Sequence, residues 1–353
     1  MLSVSGEYGI VNQIEFQGRS FAGESVAEYH VVETNDIVYT KSPLKANPYG
    51  IIKVNNGAPG IVSTLYAVYH PCEGTVAEYI DYYFGNDLRL NKYLKPLVNI
   101  GAKHDMKVNN ETVLTGEVYF PGYSEQKKIV GFLTILDERI RQQRNLVEAL
   151  KKYKRGLNRR LLSQIDERYN YKLGSVCTIM GGGTPDTLHG EYWGNSVEWF
   201  TPSEIGKTKY VNCSVRKLSK EGLSNSSAKL LPAGTVLLTT RATLGEMSIA
   251  EKECSTNQGF QSLIPLTSRV SSEYLYYMQI IIQPWCEKYA SGNTFREISK
   301  SALSECIVPV PEKPQQDKIA KLLSLFDSMI ASEKKTASLL VQMKNSLLQQ
   351  LFI

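Results

Sequence analysis

The chain has 353 residues, 42% of them hydrophobic and 21% charged, and its 40 basic and 35 acidic side chains give a formal net charge of +5. This length can bury the cores of two ordinary domains, and the composition excludes an intrinsically disordered chain. No apolar stretch reaches the roughly 18 residues of a membrane span, and the opening residues MLSVSGEYGI lack a secretory pattern, so we expect a cytoplasmic protein without a membrane partner.

Residues 1–121 predict a first globular domain, because three of its segments have counterparts later in the chain. TNDIVYTKSP at residues 34–43 matches AGTVLLTTRA at residues 233–242, with an offset of 199 positions. AEYIDYYF at 77–84 stands where SSEYLYYM stands at 271–278, and IGAKHDM at 100–106 stands where SGNTFRE stands at 291–297. Such self-similarity is the signature of an internal repeat.

Residues 122–165 predict a long helix. Apolar residues in this segment recur in alternating steps of four and three, which is the spacing of a coiled-coil seam. The seam comprises Ile129, Leu133, Leu136, Ile140, Val147, Leu150, Leu157 and Leu161. A helix of roughly 35–40 residues is about 50–60 Å long, which is more than one small domain can cover, so it needs an equally long partner.

Residues 166–311 predict a second globular domain that is rich in short strands and turns. GGGTPDT at 181–187 and LLPAGTVLLTTRATLG at 230–245 are loop–strand–loop patterns, whereas residues 272–289 are typical of a buried helix. The domain opens with YKLGSVCTIMGGGTP at 171–185, which has no counterpart in the first domain. We therefore expect the first domain to be truncated at its N-terminus by roughly 25–30 residues relative to the second.

Residues 312–353 repeat the first helix. PQQDKIAKLLSLFDSMI at 314–330 aligns without a gap with SEQKKIVGFLTILDERI at 124–140, at an offset of 190. The polar interruptions also coincide, since Gln143 matches Glu333 and Lys154 matches Lys344, and polar seam residues commonly fix register. The second seam comprises Ile319, Leu323, Phe326, Ile330, Ala337, Leu340, Leu347 and Leu351. Two unrelated amphipathic helices, each packed on its own domain, are the alternative.

The repeat predicts an α+β protein. We expect two mixed α/β domains in a pseudo-two-fold repeat, separated by two long helices that pack on each other as a coiled coil. The predicted boundaries place the first domain at 1–121, the first helix at 122–165, the second domain at 166–311 and the second helix at 312–353.

The sequence carries no legible catalytic or metal-binding motif. Six cysteines lie far apart without a CxxC pair, which indicates reduced, mostly buried thiols, and the four histidines lack metal-ligand spacing. NPYG at 47–50 lacks the second proline of the methyltransferase motif that it resembles, and GKT at 206–208 lacks the glycine that a phosphate-binding loop requires. We therefore expect a binding protein with no metal or cofactor of its own.

Two features bear on what it binds. Residues 124–163 carry eleven basic and four acidic side chains, most densely in KKYKRGLNRR at 151–160. Such a run is usually a solvated face, and phosphate contact or docking on an acidic partner is an equally weighted alternative. Loops such as TKSPLKANPYG at 40–50 mix tyrosine with the lysine, amide and hydroxyl groups that bind base edges in DNA.

These pieces resemble the specificity subunit of type I restriction-modification systems. Each globular domain is followed by a long helix that begins with P-x4-Q-x-x-I, at Pro121, Gln126 and Ile129 and again at Pro311, Gln316 and Ile319. YFPGYSEQKKIVGFL at 119–133 and VPVPEKPQQDKIAKLL at 308–323 resemble that family's boundary between recognition domain and spacer helix, and residues 216–260 resemble a recognition-domain core. The resemblance covers essentially the whole chain.

The resemblance implies a non-catalytic subunit that binds double-stranded DNA. In that family each target-recognition domain reads one half of a split sequence, and the two spacer helices pack antiparallel and set the distance between the half-sites. Two modification subunits dock along this frame and carry S-adenosylmethionine and the adenine N6-methylation chemistry. Restriction subunits are a further partner that the resemblance allows, and they would carry ATP and Mg for translocation and cleavage.

The resemblance and the repeat indicate two sets of candidate DNA-contacting residues. Arg241 is the foremost, because a guanidinium can bind guanine through two hydrogen bonds. The loop glycines have a backbone turn as their alternative role, and for Gln258 the alternative is to tie loops together. The candidates of the second domain are Gly182, Gly183, Thr184, Ser203, Glu204, Arg241, Thr243, Gln258, Asn293 and Arg296. Those of the first domain are Lys41, Ser42, Lys45, Asn47, Tyr49, Lys103 and His104.

Two other classes of function are consistent with the sequence. A structural adaptor would recruit proteins through its paired helices and globular domains without DNA readout, and salt-dependent DNA binding would argue against it. A single-chain methyltransferase would bind S-adenosylmethionine by itself.

Overall fold

The computed structural model describes residues 1–20, 22, 25–100, 106–292 and 296–352. They form two compact units. Unit 1 combines Met1–Arg144 with Lys335–Ile353, and unit 2 is Asn145–Lys334. The unit boundaries fall inside the two predicted long helices, so each unit contains one globular part and a portion of both helices.

The globular part of unit 1 is built from short elements. Its strands are β1 (Leu2–Ser5), β2 (Gly9–Asn12), β3 (His30–Val32), β4 (Ile37–Thr40), β5 (Ile52–Val54), β6 (Gly60–Val62), β7 (Tyr66–Tyr69), β8 (Asn99–Ile100) and β9 (Met106–Lys107). Its helices are α1 (Gln13–Gln17), α2 (Ala77–Phe84), α3 (Asp87–Leu94) and α4 (Asn110–Val113), followed by the long helix α5 (Tyr123–Ser163), which continues into unit 2.

The core of unit 1 lies where a three-stranded antiparallel sheet, in the order β5-β4-β7, packs against α2 and α3. Tyr39 on β4 and Leu90 and Leu94 on α3 are almost fully buried. Helix α3 begins after Asn86, whose side chain accepts a hydrogen bond from the Arg89 backbone N–H and so satisfies a free donor of the first turn. The strand predicted within residues 34–43 is confirmed as β4.

Unit 2 has a larger globular part. Its strands are β10 (Asn170–Lys172), β11 (Cys177–Gly181), β12 (Trp193–Phe200), β13 (Tyr210–Val211), β14 (Arg216–Leu218), β15 (Val236–Leu238), β16 (Met247–Ala250), β17 (Cys254–Thr256), β18 (Gln261–Pro265) and β19 (Ile307–Pro309). Its helices are α6 (Leu173–Val176), α7 (Lys220–Ser224), α8 (Ser272–Tyr277), α9 (Gln279–Tyr289) and α10 (Lys300–Ser304), followed by the long helix α11 (Lys313–Leu351), which continues into unit 1. The main sheets have the orders β11-β18-β15-β16-β13 and β14-β12-β17.

Residues 272–289, predicted as one buried helix, form two. Helix α8 ends and α9 begins at Met278, whose N–H donates to the Leu275 carbonyl in a tight last turn. Tyr274, Met278 and Ile282 are fully buried against the five-stranded sheet. The prediction that this segment is buried is confirmed. The prediction of one continuous helix is wrong, because the helix is interrupted at Met278.

The segment that opens the second domain forms two strands, and both are paired. Strand β10 pairs with β19, and β11 pairs with β18. In unit 1, β7 matches β18 at an offset of 195, and among the described residues it pairs with β4 alone. Residues 117–119, which match β19 at an offset of 190, form no strand. The strand pairing thus differs between the two units.

The predicted seams of α5 and α11 face inward. Leu133 and Leu323 are fully buried, and the other seam residues are buried or half-buried except Leu351, which is 38% exposed. In unit 1 the start of α5 shares an apolar cluster with the end of α11, and in unit 2 the end of α5 shares one with the start of α11. The two helices are therefore antiparallel, as predicted, and the chain is an α+β protein.

Leu323→Ala should destabilise the protein far more than Leu325→Ala, two residues further along α11. Leu323 is fully buried, whereas Leu325 is 56% exposed. Loss of a buried leucine side chain costs about 2–5 kcal/mol, and a surface substitution changes stability by about 0.5 kcal/mol or less. Urea unfolding of both variants measures the difference, and equal effects would contradict the inward orientation of the seam.

Candidate nucleic-acid interface

Four loops of unit 2 meet at one place and carry most of the site residues predicted for the second domain. We call them the loop cluster, which consists of residues 182–184, 201–204, 240–245 and 257–259. The Thr184 hydroxyl donates a hydrogen bond to the side-chain carbonyl of Gln258, and the Thr243 hydroxyl lies 3.5 Å from the Pro202 carbonyl oxygen. The fold therefore brings together candidates from four separate segments of sequence.

Gly182 and Gly183 allow two segments of backbone to approach each other. A Cβ atom on Gly182 would lie 2.4 Å from Thr256 Oγ1, and one on Gly183 would lie 2.2 Å from Ser227 Oγ. The Gly183 carbonyl also accepts a hydrogen bond of 2.9 Å from the Trp199 indole N–H. Neither glycine has a positive φ, so close packing rather than a left-handed turn requires these residues. DNA contact by this loop stays a prediction.

Glu204 organises the second loop of the cluster. Its carboxylate accepts hydrogen bonds from the Thr201 N–H and hydroxyl at 2.8 and 2.7 Å, and from the Val215 N–H at 2.8 Å. A carboxylate has about four acceptor sites, so three such donors leave Glu204 little capacity to accept a hydrogen bond from a base. Ser203 beside it is exposed on the same turn.

Arg241 is held by a partner that the sequence analysis did not identify. Its guanidinium makes two contacts with the Glu297 carboxylate, at 2.9 Å from Nε and 2.8 Å from Nη2, and its side chain is 42% exposed. Thr240 fixes the start of this loop, since its N–H donates to the Gly259 carbonyl at 2.8 Å and its hydroxyl to Glu297 at 3.3 Å. Glu297 lies 56 residues away, and no local pattern marks it as the partner of Arg241.

The remaining candidates of the second domain differ in exposure and in position. Thr243 and Gln258 are exposed at the cluster. Arg296 is exposed and donates a hydrogen bond to the Glu287 carbonyl, away from the four loops. Asn293 lies outside the described residues.

The candidates of the first domain lie in the loop between β4 and β5. Lys41, Ser42 and Lys45 are at least partly exposed there. Asn47 is buried, and its amide donates to Asp87 Oδ1 at 2.9 Å, so it ties the loop to α3. Tyr49 is half-buried and accepts a hydrogen bond at its carbonyl from the Tyr39 hydroxyl at 2.7 Å. Lys103 and His104 lie outside the described residues.

Part of the basic run of α5 lines a cleft of about 480 Å³ in unit 2. Lys154 is bound to Asp327 on α11, whereas Arg155 and Arg159 are exposed. The run thus combines a structural lysine with solvent-facing arginines that can bind a phosphate or a carboxylate.

Both long helices carry exposed apolar side chains outside the seam. On α5 these include Phe132 and Ile135, which are 51% and 71% exposed. On α11 the residues 190 positions later, Leu322 and Leu325, are 38% and 56% exposed. Apolar side chains that are exposed at repeated positions of a helix indicate a surface for protein partners.

The six cysteines fall into two groups by burial. All six cysteines are free thiols, of which Cys72 and Cys213 are exposed and the other four are buried. Burial raises the pKa of the Cys177 and Cys254 thiols to about 12, so they stay protonated. Within the described ranges, no three His, Cys, Asp or Glu side chains are grouped as ligands of a metal ion. The helices found there are too short or too polar to cross a membrane.

Comparisons with known proteins identify the second half of the chain. A family model for the type I restriction modification DNA specificity domain matches residues 166–341, which include the whole loop cluster. The type I restriction enzyme MjaIX specificity subunit of Methanocaldococcus jannaschii is 36% identical over 186 residues, 52% of this chain and 43% of that protein. The EcoR124I/EcoR124II specificity subunit of Escherichia coli is 26% identical over 220 residues, 59% of this chain and 52% of that protein. The chain spans about half the length of these curated relatives.

The fold is also similar to that of a solved structure. A chain from a structural study of complex assembly and conformational transition in the type I R-M system superimposes with a TM-score of 0.62. The match covers 93% of this chain and 84% of that chain at 21% identity. Similarity at this level of identity supports the fold.

Gly183→Ala should lower the melting temperature, and Gly190→Ala should not. A Cβ on Gly183 would meet the backbone between Ser227 and Ala228, whereas nothing lies within 4 Å of one on Gly190. Overpacking of this kind costs about 1–3 kcal/mol. Thermal unfolding of the two variants tests the difference, and an unchanged midpoint for Gly183→Ala would contradict the tight approach of the loop.

Proposed function

Because this chain belongs to the family of type I restriction-modification specificity subunits, we propose that it is the DNA-recognition component of such a complex. In this proposal the chain binds double-stranded DNA and has no catalytic site of its own. Methylation and cleavage belong to partner subunits.

The loop cluster of unit 2 is the observation that carries the proposal. Its exposed side chains present hydroxyl and amide groups near the guanidinium of Arg241. Hydroxyl, amide and guanidinium groups on rigid loops are the ones that bind base edges and phosphates in DNA. Contacts between the loops hold these groups in place without DNA, which reduces the entropy lost on binding.

The internal repeat supports a bipartite target. We propose that unit 2 reads one half-site through the loop cluster and that unit 1 reads the other through the loop of residues 41–49, together with Lys103 and His104. The antiparallel helices would set the separation of the two half-sites, because recognition domains held by paired helices would contact DNA at a fixed spacing.

The exposed apolar side chains of α5 and α11 support docking of two modification subunits. Phe132 and Ile135 recur as Leu322 and Leu325, so two copies of one partner can bind to equivalent surfaces. In this proposal the modification subunits bring S-adenosylmethionine, and restriction subunits, where present, bring ATP and Mg. The exposed Arg155 and Arg159 add a basic site for DNA phosphate or for an acidic partner.

Arg241→Ala should change or abolish the methylated sequence in cells that express the chain with its modification partner. The variant removes a guanidinium that can bind guanine, and loss of a bidentate base contact costs about 1–3 kcal/mol of discrimination. Genome-wide mapping of adenine methylation measures the recognised sequence. Arg168→Ala is the matched control, because Arg168 is also exposed and paired with an acid, Asp166, but lies outside the loop cluster. An unchanged motif in Arg241→Ala would remove Arg241 from the recognition site.

DNA binding by the assembled complex should weaken steeply with salt. Six to ten phosphate contacts would lower the affinity by about 10³–10⁵-fold between 50 and 200 mM salt. Fluorescence anisotropy with duplexes that contain or lack the methylated motif measures both the salt slope and the sequence preference. A structural adaptor without DNA readout would give no preference between the duplexes, and that result would contradict the proposed function.

A further inference from the structure

One carboxylate in unit 2 connects three elements of the fold. The Tyr277 hydroxyl, at the end of α8, donates a hydrogen bond to Asp327 Oδ2 on α11 at 2.7 Å. Lys154 on α5 forms an ion pair with the other oxygen of Asp327, and its ammonium lies 5.1 Å from the centre of the Tyr277 ring. We call Tyr277, Asp327 and Lys154 the Tyr277 cluster. It joins the globular part of unit 2 to both long helices.

Unit 1 contains the same arrangement. The Tyr82 hydroxyl, on α2, donates to Asp137 Oδ2 on α5 at 2.9 Å. Lys344 on α11 lies 2.5 Å from Asp137 Oδ1 and 5.2 Å from the centre of the Tyr82 ring. We call Tyr82, Asp137 and Lys344 the Tyr82 cluster. The aspartate now comes from α5 and the lysine from α11, so the two helices exchange roles.

The two clusters follow one register of the antiparallel helices. Asp137 and Lys154 are 17 residues apart on α5, and Asp327 and Lys344 are 17 residues apart on α11. A shift of one helix along the other would therefore break both ion pairs. Periodicity predicts only that the lysines interrupt the seam, and the partners of the lysines are visible only in the structure.

The charged groups of each cluster are partly buried, so substitution of one member should weaken the cluster. The lysine side chains are only 20% and 21% exposed, and the aspartates 31% and 40%, so each ion pair is partly removed from water. Burial raises the pKa of both Tyr82 and Tyr277, and the aspartate beside each raises it further, so both phenols remain protonated donors. An aspartate that loses one of these partners in such a place is left incompletely compensated.

A glutamine at the start of each helix provides a second attachment. The Gln316 side chain accepts from the Ser271 N–H at 3.1 Å and donates to the Pro311 carbonyl at 2.7 Å. Gln126 makes the corresponding contacts with the Val76 N–H and the Pro121 carbonyl at 2.9 and 2.8 Å. These contacts hold the N-terminal ends of α8 and α2, whereas the tyrosines hold positions further along. Each short helix also shares an apolar cluster with α5 or α11, and in unit 2 the Asn158 amide donates to the Tyr277 carbonyl at 2.8 Å. Because apolar contact is non-directional, the polar contacts are what set the angle of each short helix.

We infer that the two clusters orient each recognition domain on the helix pair and thereby restrict the spacing between half-sites that the complex accepts. The inference rests on the proposed function. It makes Tyr82, Asp137 and Lys344, and likewise Tyr277, Asp327 and Lys154, positioning residues that contact no base. Loss of a cluster leaves the loops that read DNA intact and removes polar contacts that fix the angle of the domain on the helices, while the shared apolar core keeps the domain attached.

The test measures spacer length separately from half-site sequence. Tyr277→Phe and Asp327→Asn, each expressed with the modification partner, are compared with the unchanged chain by genome-wide mapping of methylated adenines. We expect the same half-site sequences in every case. Methylation of sites whose spacer is one base pair shorter or longer should rise about threefold or more relative to the preferred spacer. Tyr82→Phe should act in the same way through unit 1.

Two further variants serve as controls. Tyr276→Phe removes the hydroxyl of a neighbouring tyrosine that is not part of the cluster, and it should leave spacer preference unchanged. Lys154→Arg keeps the positive charge and should keep the original spacer preference. Lys154→Met removes the charge and should broaden the spacer preference. Melting temperatures of all variants are recorded in parallel to detect a loss of stability.

The outcomes distinguish this inference from the proposed function. If both Tyr277→Phe and Asp327→Asn keep the spacer preference of the unchanged chain, the inference is overturned and the proposed function is unaffected. Loss of methylation at all spacer lengths together with a lower melting temperature would also overturn it, because the cluster would then contribute stability only. Absence of sequence-specific methylation with the unchanged chain would instead contradict the proposed function.

Discussion

Burial of the apolar seam between α5 and α11 is the interaction on which the rest of the structure depends. A helix of 41 residues cannot cover its apolar face with one small domain, and here each unit joins the start of one helix to the end of the other. Stabilisation by burial grows with the apolar area removed from water, so the paired helices supply each unit with core that its globular part lacks. Segments far apart in sequence thus form one folding unit.

Features that follow from periodicity could be predicted from the sequence. The seam and strand β4 depend on which side of an element is apolar, and spacing determines this without knowledge of tertiary contacts. The antiparallel orientation of the helices comes from the family resemblance, because a heptad seam alone fits parallel and antiparallel pairs. The break at Met278 could not be found in this way, because the apolar run of residues 272–289 continues through it and Pro284 lies inside α9 instead. Local backbone geometry, rather than the apolar pattern, ends helix α8.

Features that depend on which residues meet in the tertiary structure could be predicted only in part. Alignment of the two repeats matches Asp137 with Asp327 and Lys154 with Lys344. It does not predict that each aspartate binds the lysine of the other helix. That pairing follows from the antiparallel register. For the candidate site, the four loops could be identified individually, while their convergence and the close packing of Gly183 required the fold.

In the proposed role of Arg241 as a base-contacting residue, its ion pair with Glu297 bears on the selectivity of DNA binding more than on its strength. In the free protein the Arg241 guanidinium already has a carboxylate partner. Exchange of that partner for a base is favourable only where guanine offers two acceptors. The negative charge of Glu297 also opposes the approach of a phosphate to the same guanidinium. In that proposed role, the ion pair would lower affinity for DNA of arbitrary sequence and raise the ratio between cognate and competing sites across a genome.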